Sequence, residues 1–189
     1  MKKLSVGIQD FKGLIEDNYI YVDKTKYLYK MIDLGKVYFM SRPRRFGKSL
    51  TVSTFEYLFK GEKELFKNTY IYDKWDWKEY PVVVLSMGRV DTIEISDLRN
   101  SLVVNLARIA KSYNVDIDIS SPSLAFSSDV ENLHQKYNQR VVVLIDEYDR
   151  PIINHFSNHK MAEEIRAHLR DFYVVLKDLD KHLKFLFIT

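Results

Sequence analysis

Ser41-Arg42-Pro43-Arg44-Arg45-Phe46-Gly47-Lys48-Ser49 sits between an apolar run, Val37-Tyr38-Phe39-Met40, and a segment that places Val52, Phe55, Leu58 and Phe59 on one helical face. The order is strand, short loop, Gly-Lys-Ser, helix. In that arrangement the amides of a loop and of a helix N-terminus can meet a polyphosphate. Lys48 would bring a point charge to the β- and γ-phosphates, and Ser49 would offer its hydroxyl to a magnesium ion. Arg44, Arg45, Phe46, Gly47 and Leu50 complete the candidate nucleotide-binding segment. The loop departs from the usual P-loop pattern at its first position, where Arg42 stands in place of glycine. Glycine supplies a positive φ at no steric cost, so Arg42 and Pro43 predict a different approach to the loop. On this stretch alone, a Gly-Lys-Ser that merely begins a helix is an equal reading.

A second stretch, Val141-Val142-Val143-Leu144-Ile145, runs without a polar residue into Asp146-Glu147. A segment apolar on both faces reads as a central strand of a parallel sheet. Carboxylates at its C-terminal end lie where open α/β sheets bind ligands. This is a Walker B pattern. Asp146 is expected to join Ser49 in the magnesium shell, and Glu147 to orient and deprotonate an attacking water. A pair of solvated acids at a strand end is the alternative. The two motifs in this order predict nucleotide binding and an α/β fold. The expected architecture is a three-layer P-loop sandwich with a mainly parallel sheet. Its strands are placed at 37–40, 82–87, 141–145 and 185–188. The first is expected beside the last, followed by the 141 strand and then the 82 strand. The 37 strand would then be an edge that something must cover.

Composition narrows the alternatives. At 189 residues the chain suits one domain with a real core. With 46% hydrophobic and 29% charged residues it has the balance of a soluble globular protein. A net charge of +3 is too mild to argue for nucleic acid by itself. The absence of cysteine excludes disulfides and thiolate metal sites. No apolar run is long enough to span a bilayer, and Met1-Lys2-Lys3 is not followed by the apolar run of a signal peptide. The cytoplasm is the expected location.

Along the chain, Val6-Gly7-Ile8 and Tyr19-Ile20-Tyr21-Val22 read as short strands or extended arms. Asp23 reads as the N-cap of a helix over 24–34, with Gly35 as its stop. A sharper reading sets this arm against an adenine ring. Gly61 is expected to end the helix after the loop. Phe66, Tyr70, Trp75 and Trp77 recur among lysines; packing onto the core is favoured over base stacking, because the local charge is mixed. Leu98, Leu102, Leu106, Ile109 and Tyr113 mark an amphipathic helix. Pro122 reads as a break, with Ser128 and Glu131 as the capping box of a short helix that Asn138 ends. After Glu147, Asp149 reads as a turn former and Arg150 as a surface arginine or an arginine finger. Met161, Ile165, Leu169, Phe172 and Leu176 define a long helix. His155 and His159 have metal-like spacing only if their segment is helical.

Four runs carry a resemblance: Phe11-Lys12-Gly13-Leu14-Ile15, Tyr21-Val22-Asp23-Lys24-Thr25, Arg42-Pro43-Arg44-Arg45-Phe46-Gly47-Lys48-Ser49 and Ile145-Asp146-Glu147-Tyr148-Asp149. In this order they resemble the bacterial AAA-ATPase-like family, whose members often carry a C-terminal nuclease-like domain of the PD-(D/E)XK type. The resemblance implies an ATPase core in which the first Walker glycine is commonly replaced. It implies ATP and Mg2+ as cofactors and places Thr189 where AAA-type ATPases carry the polar sensor-1 residue. Lys48, Glu147 and Thr189 are thus the expected catalytic set. Residues 1–36 read as an N-terminal arm and first helix, and 37–189 as a core that stops after the sensor-1 strand. Such a fragment of a longer parent is expected to bind Mg-ATP weakly and turn it over slowly. The expected partners are a nucleotide, a second copy of the chain, or nucleic acid through the parent protein; a membrane is not expected. A nucleotide-gated interaction module with little turnover is the alternative from a different class. A nucleic-acid contact through Arg42, Arg44, Arg45 and Lys48 is another.

Overall fold

Hydrophobic pattern and turn chemistry divide the described residues into seven helices and four strands. In the computed structural model, which describes residues 2–43 and 45–189, they run α1 (Phe11–Glu16), α2 (Thr25–Leu34), β1 (Val37–Phe39), α3 (Lys48–Phe59), β2 (Val82–Ser86), α4 (Ile95–Ser112), α5 (Pro122–Tyr137), β3 (Val141–Asp146), α6 (Arg150–Ile153), α7 (His159–Asp178) and β4 (Leu183–Ile188). Short 3-10 turns lie at Lys63–Phe66, Met87–Arg89 and Asp180–His182.

The strands form one sheet in the order β1-β4-β3-β2, and every pairing is parallel. This is the order expected from the sequence. β3 is buried along its whole length because it is covered on both faces. Val141, Val143 and Ile145 join a core with Leu102 and Leu106 of α4, Phe126 and Val130 of α5, and Leu169 and Phe172 of α7. Val142 and Leu144 point the other way, to Phe11, Leu28, Phe55 and Phe59 of α1, α2 and α3. Each fully buried side chain of this size contributes about 1.5–3 kcal/mol. β3 is therefore the most firmly held element, and Asp146 is its last residue. Ser86 of β2 is paired beside Asp146, and Ile188 of β4 beside Ile145. Three strand ends thus meet at one edge of the sheet.

The outer strands differ. β1 leaves Val37 and Phe39 more than half exposed, at 57% and 56%, as expected of an edge. β2 is partly finished by α4. Tyr113 Oη accepts from the Val82 amide at 3.0 Å and lies 3.2 Å from the Val82 carbonyl oxygen, to which it donates.

Several local expectations are corrected. The lead-in contains a helix, α1, capped by Asp10, whose carboxylate accepts from the Gly13 amide. Tyr19 makes only an isolated bridge with Lys3. Asp23 is not the N-cap of α2; Lys24 is. The Asp23 carboxylate instead accepts from the amides of Thr25 and Tyr70, pinning the 62–80 segment to α2. In that segment Phe66 is fully buried and Trp75 and Trp77 pack beside it onto the core, whereas Tyr70 is exposed. Pro122 does not break the chain. It occupies the first turn of α5, where the missing N–H costs nothing, after the capping hydroxyl of Ser121. Ser128 is then inside a helix and donates back to the Leu124 carbonyl. Asn138 ends α5 in the left-handed region, as expected.

Candidate functional site

The loop before α3 is shaped by two departures from ordinary backbone, on either side of Phe46. Arg45 has φ +68° and Gly47 has φ +77°. Arg45 pays a steric cost for that conformation that glycine would not. Gly47 then opens α3 with no side-chain cap, and its carbonyl accepts from the amide and the hydroxyl of Thr51. The first amides of α3 are thereby left to whatever lies in front of the helix. Lys48 and Ser49 are the first two residues of this helix. Lys48 Nζ does not point into open space; it donates to the Arg42 carbonyl at 2.7 Å, closing the loop on itself. Arg45 and Phe46 are exposed, and Leu50 is half-buried against the core beneath. Arg44, expected to bind phosphate, lies outside the described residues.

At the end of β3 the side chains are held more tightly. Asp146 is buried, and its Oδ1 accepts from Thr189 Oγ1 at 2.6 Å. The same hydroxyl oxygen accepts a long contact from the Glu147 amide at 3.4 Å. The Thr189 backbone is fixed too: its amide donates to the Ile145 carbonyl, and its carbonyl accepts from Tyr148, both at 2.8 Å. Between these bonds Glu147 has φ +55°. A non-glycine residue in the left-handed region stores strain of about 1 kcal/mol or more, a feature that clusters at functional sites. The turn aims Glu147 into a cleft that Ser49 and Asp146 also line.

Sequence reasoning passed over one residue of this group. Gly88, in the turn after β2, lies against the Glu147 carboxylate. A Cβ at this position would come within 2.1 Å of Glu147 Oε2. The absent side chain is the space the carboxylate occupies. Its only signal in the sequence is a glycine just after a strand, where a close approach is one explanation among several.

The remaining candidates fall elsewhere. Asp149 is the N-cap residue of α6 and caps it without a side-chain hydrogen bond. Arg150 begins α6, half-buried, with no ion pair among the described residues. His155 Nε2 contacts Thr92 Oγ1 at 3.0 Å and has no second histidine with it. Among the described residues no group of three His, Cys, Asp or Glu side chains could hold a metal. A magnesium ion of the phosphate-bound kind would need only one carboxylate and a hydroxyl from the protein beside phosphate oxygens and water. Asp146 and Ser49 offer such hard oxygen donors on one cleft. Among the described residues no helix is long and apolar enough to cross a membrane.

Comparison with known proteins agrees with the motif order. A family model described as AAA-ATPase-like, "Predicted AAA-ATPase", matches residues 5–189. A protein of Azotobacter chroococcum mcd 1, described as "Uncharacterized protein in vnfD 5'region", is 38% identical over 190 residues. The match takes in 100% of this chain and 37% of that relative. No solved structure matches. A family model covering all but the first four residues settles membership: this protein belongs to the predicted AAA-ATPase-like family.

Proposed function

We propose that residues 37–189 are a P-loop core of three-layer type that binds ATP with magnesium and hydrolyses it, in the service of a longer protein. The observation that carries this reading is the meeting of Ser49, from the helix after the loop, with Asp146 and Glu147, from the end of the central strand, on one cleft. Magnesium would supply charge neutralisation for the phosphates, with Ser49 and Asp146 as its protein ligands. The amides at the start of α3 bind the phosphate chain, and Lys48 leaves the Arg42 carbonyl to join them. Arg45, Phe46 and Leu50 flank that contact. Glu147 accepts the proton of the attacking water. Thr189 holds Asp146 and the Glu147 turn in one geometry.

A second reading has its own observation. Lys48 Nζ is engaged with the Arg42 carbonyl, so the loop has a closed state of its own. A nucleotide-gated module with slow turnover would use that state as its resting position.

Calorimetric titration with ATP, ADP and GTP, with and without magnesium, followed by a phosphate-release assay, tests both. Magnesium-dependent ATP binding with phosphate release supports the ATPase. Binding without release selects the gated module. No binding of any nucleotide sinks both.

A further inference from the structure

The cleft that receives Ser49, Asp146 and Glu147 extends away from the loop. It has a volume of about 560 Å3, and none of Arg45, Phe46, Gly47 or Lys48 lines it. It runs instead along β2, between α3 and α4. A nucleotide on the loop would therefore sit at one end of the cleft and leave most of it open. The space is far greater than one attacking water requires, since water takes about 30 Å3 in the liquid. It lies within the range of about 300–1,000 Å3 common for small-molecule sites.

The lining says what such a molecule carries. β2 pairs with β3 on one side only. The Val82 amide and carbonyl both face outward, to Tyr113. Strand alternation turns the backbone groups of Val84 and Ser86 to the same side, and both residues line the cleft. They offer hydrogen-bonding groups on the open side of the strand. The acids around the outer cleft are already engaged. Asp10 accepts from Gly13, Ser53 and Tyr57, and Glu56 is paired with Lys60 at 2.6 Å. The arginines are not. Arg89 and Arg108 have no carboxylate partner among the described residues, and Arg108 donates only to Asn105 Oδ1 at 3.3 Å. Both arginines line the cleft, so positive charge on its wall is left for a ligand, and arginine suits phosphate or carboxylate.

We infer that this cleft is a second binding site, for a small organic anion whose phosphate or carboxylate group rests on Arg89 and Arg108 and whose body points toward Glu147. The inference rests on the nucleotide reading above, because that reading makes Glu147 the group that a ligand here would face.

The chain has six glycines, so a sample labelled with 15N at glycine gives a sparse spectrum. Gly88 lines the cleft and Gly47 lies in the loop. Mg-ADP is added first, and inorganic phosphate or malonate is then titrated in separate samples. Mg-ADP should move the Gly47 resonance. At least one anion should then move Gly88 saturably without further change at Gly47, and the stronger of the two identifies the preferred group. An R89A/R108A double variant, changed only at exposed side chains, should bind that anion at least tenfold more weakly. A Gly88 resonance that ignores both anions, or an affinity that the double variant leaves unchanged, overturns the second site. A Gly47 resonance that ignores Mg-ADP counts against the nucleotide reading instead, whatever Gly88 does.

Discussion

The two halves of the candidate site are built differently. The acid half ends the most deeply buried strand of the sheet. Asp146 is fixed by Thr189, the turn at Glu147 is held by backbone bonds to Thr189, and Gly88 leaves room for the Glu147 carboxylate. The basic half is an exposed loop whose lysine is satisfied by its own chain. Tertiary packing pre-arranges the acids, whereas in the proposed reading the loop exchanges an internal contact for a ligand contact. Preorganised polar groups incur little reorganisation cost at the moment of reaction. The difference therefore separates two kinds of failure. Damage to the acid half should lower turnover with binding kept. Damage to the loop should lower binding.

Glu147→Gln should give the largest effect. It keeps the size of the side chain and removes the carboxylate proposed as the base. A positioned general base contributes typically about 10²–10⁴-fold. Single-turnover phosphate release should fall by that order, while Mg-ATP affinity by calorimetry stays within about twofold. If affinity fell in step with rate, the acid half would not be the separate, prearranged unit described here.

Lys48→Ala comes next and acts on the other half. A charge-assisted contact to a phosphate contributes about 1.5–3 kcal/mol, roughly 10–150-fold in affinity. The measured loss should lie toward the lower end, because the wild-type lysine gives up its bond to the Arg42 carbonyl on binding. Equal affinity in the two proteins would remove the loop from the site.

Gly88→Ala tests the acid half without touching an acid. The new methyl must displace the Glu147 carboxylate, the free end of a flexible side chain, so folding should be little affected. A displacement on the order of 1 Å can cost up to about 10²-fold in rate. Because the carboxylate can swing aside rather than be lost, turnover should fall about tenfold. Thermal midpoint and nucleotide affinity should not move. On a Glu147→Gln background the same change should have no further effect on rate, as expected of two residues that act as one unit. An additive loss in the double variant would show that Gly88 acts by another route.

How much of this was open to reading from the chain follows the same division. Signals that depend on long apolar runs were legible: β3 from five consecutive apolar residues, and the strand order from the motif order. Signals that depend on one residue's local geometry were not. Pro122 and Ser128 suggested a break and a cap, because a proline that begins a helix and one that stops it look alike until the preceding hydroxyl, Ser121, is seen to cap. Asp23 has the composition of an N-cap, yet beside the Thr25 amide its carboxylate accepts from Tyr70, 47 positions away. The place of Gly88 against Glu147 likewise joins two segments far apart in the chain, and no local pattern announces it. The acids of the site were visible because motif and strand end coincide; the space that lets one of them act was visible only in three dimensions.

Thr189→Val should have the smallest effect and is the finest test of the contrast. Valine keeps the branched shape of threonine but removes the hydroxyl, so the buried site stays filled. The backbone bonds of residue 189 to Ile145 and Tyr148 survive the change. What is lost is the donor to Asp146 Oδ1 and the long contact from the Glu147 amide. Asp146 would keep its place at the end of a strand buried on both faces, so its geometry should relax little. A single net hydrogen bond contributes about 1 kcal/mol. The expected loss is therefore about fivefold, divided between magnesium affinity and turnover, with nucleotide affinity in the absence of magnesium unchanged. Magnesium titrations at saturating ATP, read by phosphate release, separate the two contributions. An unchanged magnesium profile together with unchanged turnover would mean that the strand alone positions Asp146 and that the hydroxyl serves only to satisfy a buried carboxylate. A loss as large as that of Glu147→Gln would mean the opposite: that the acid half is held by this one hydroxyl, and is no more prearranged than the loop.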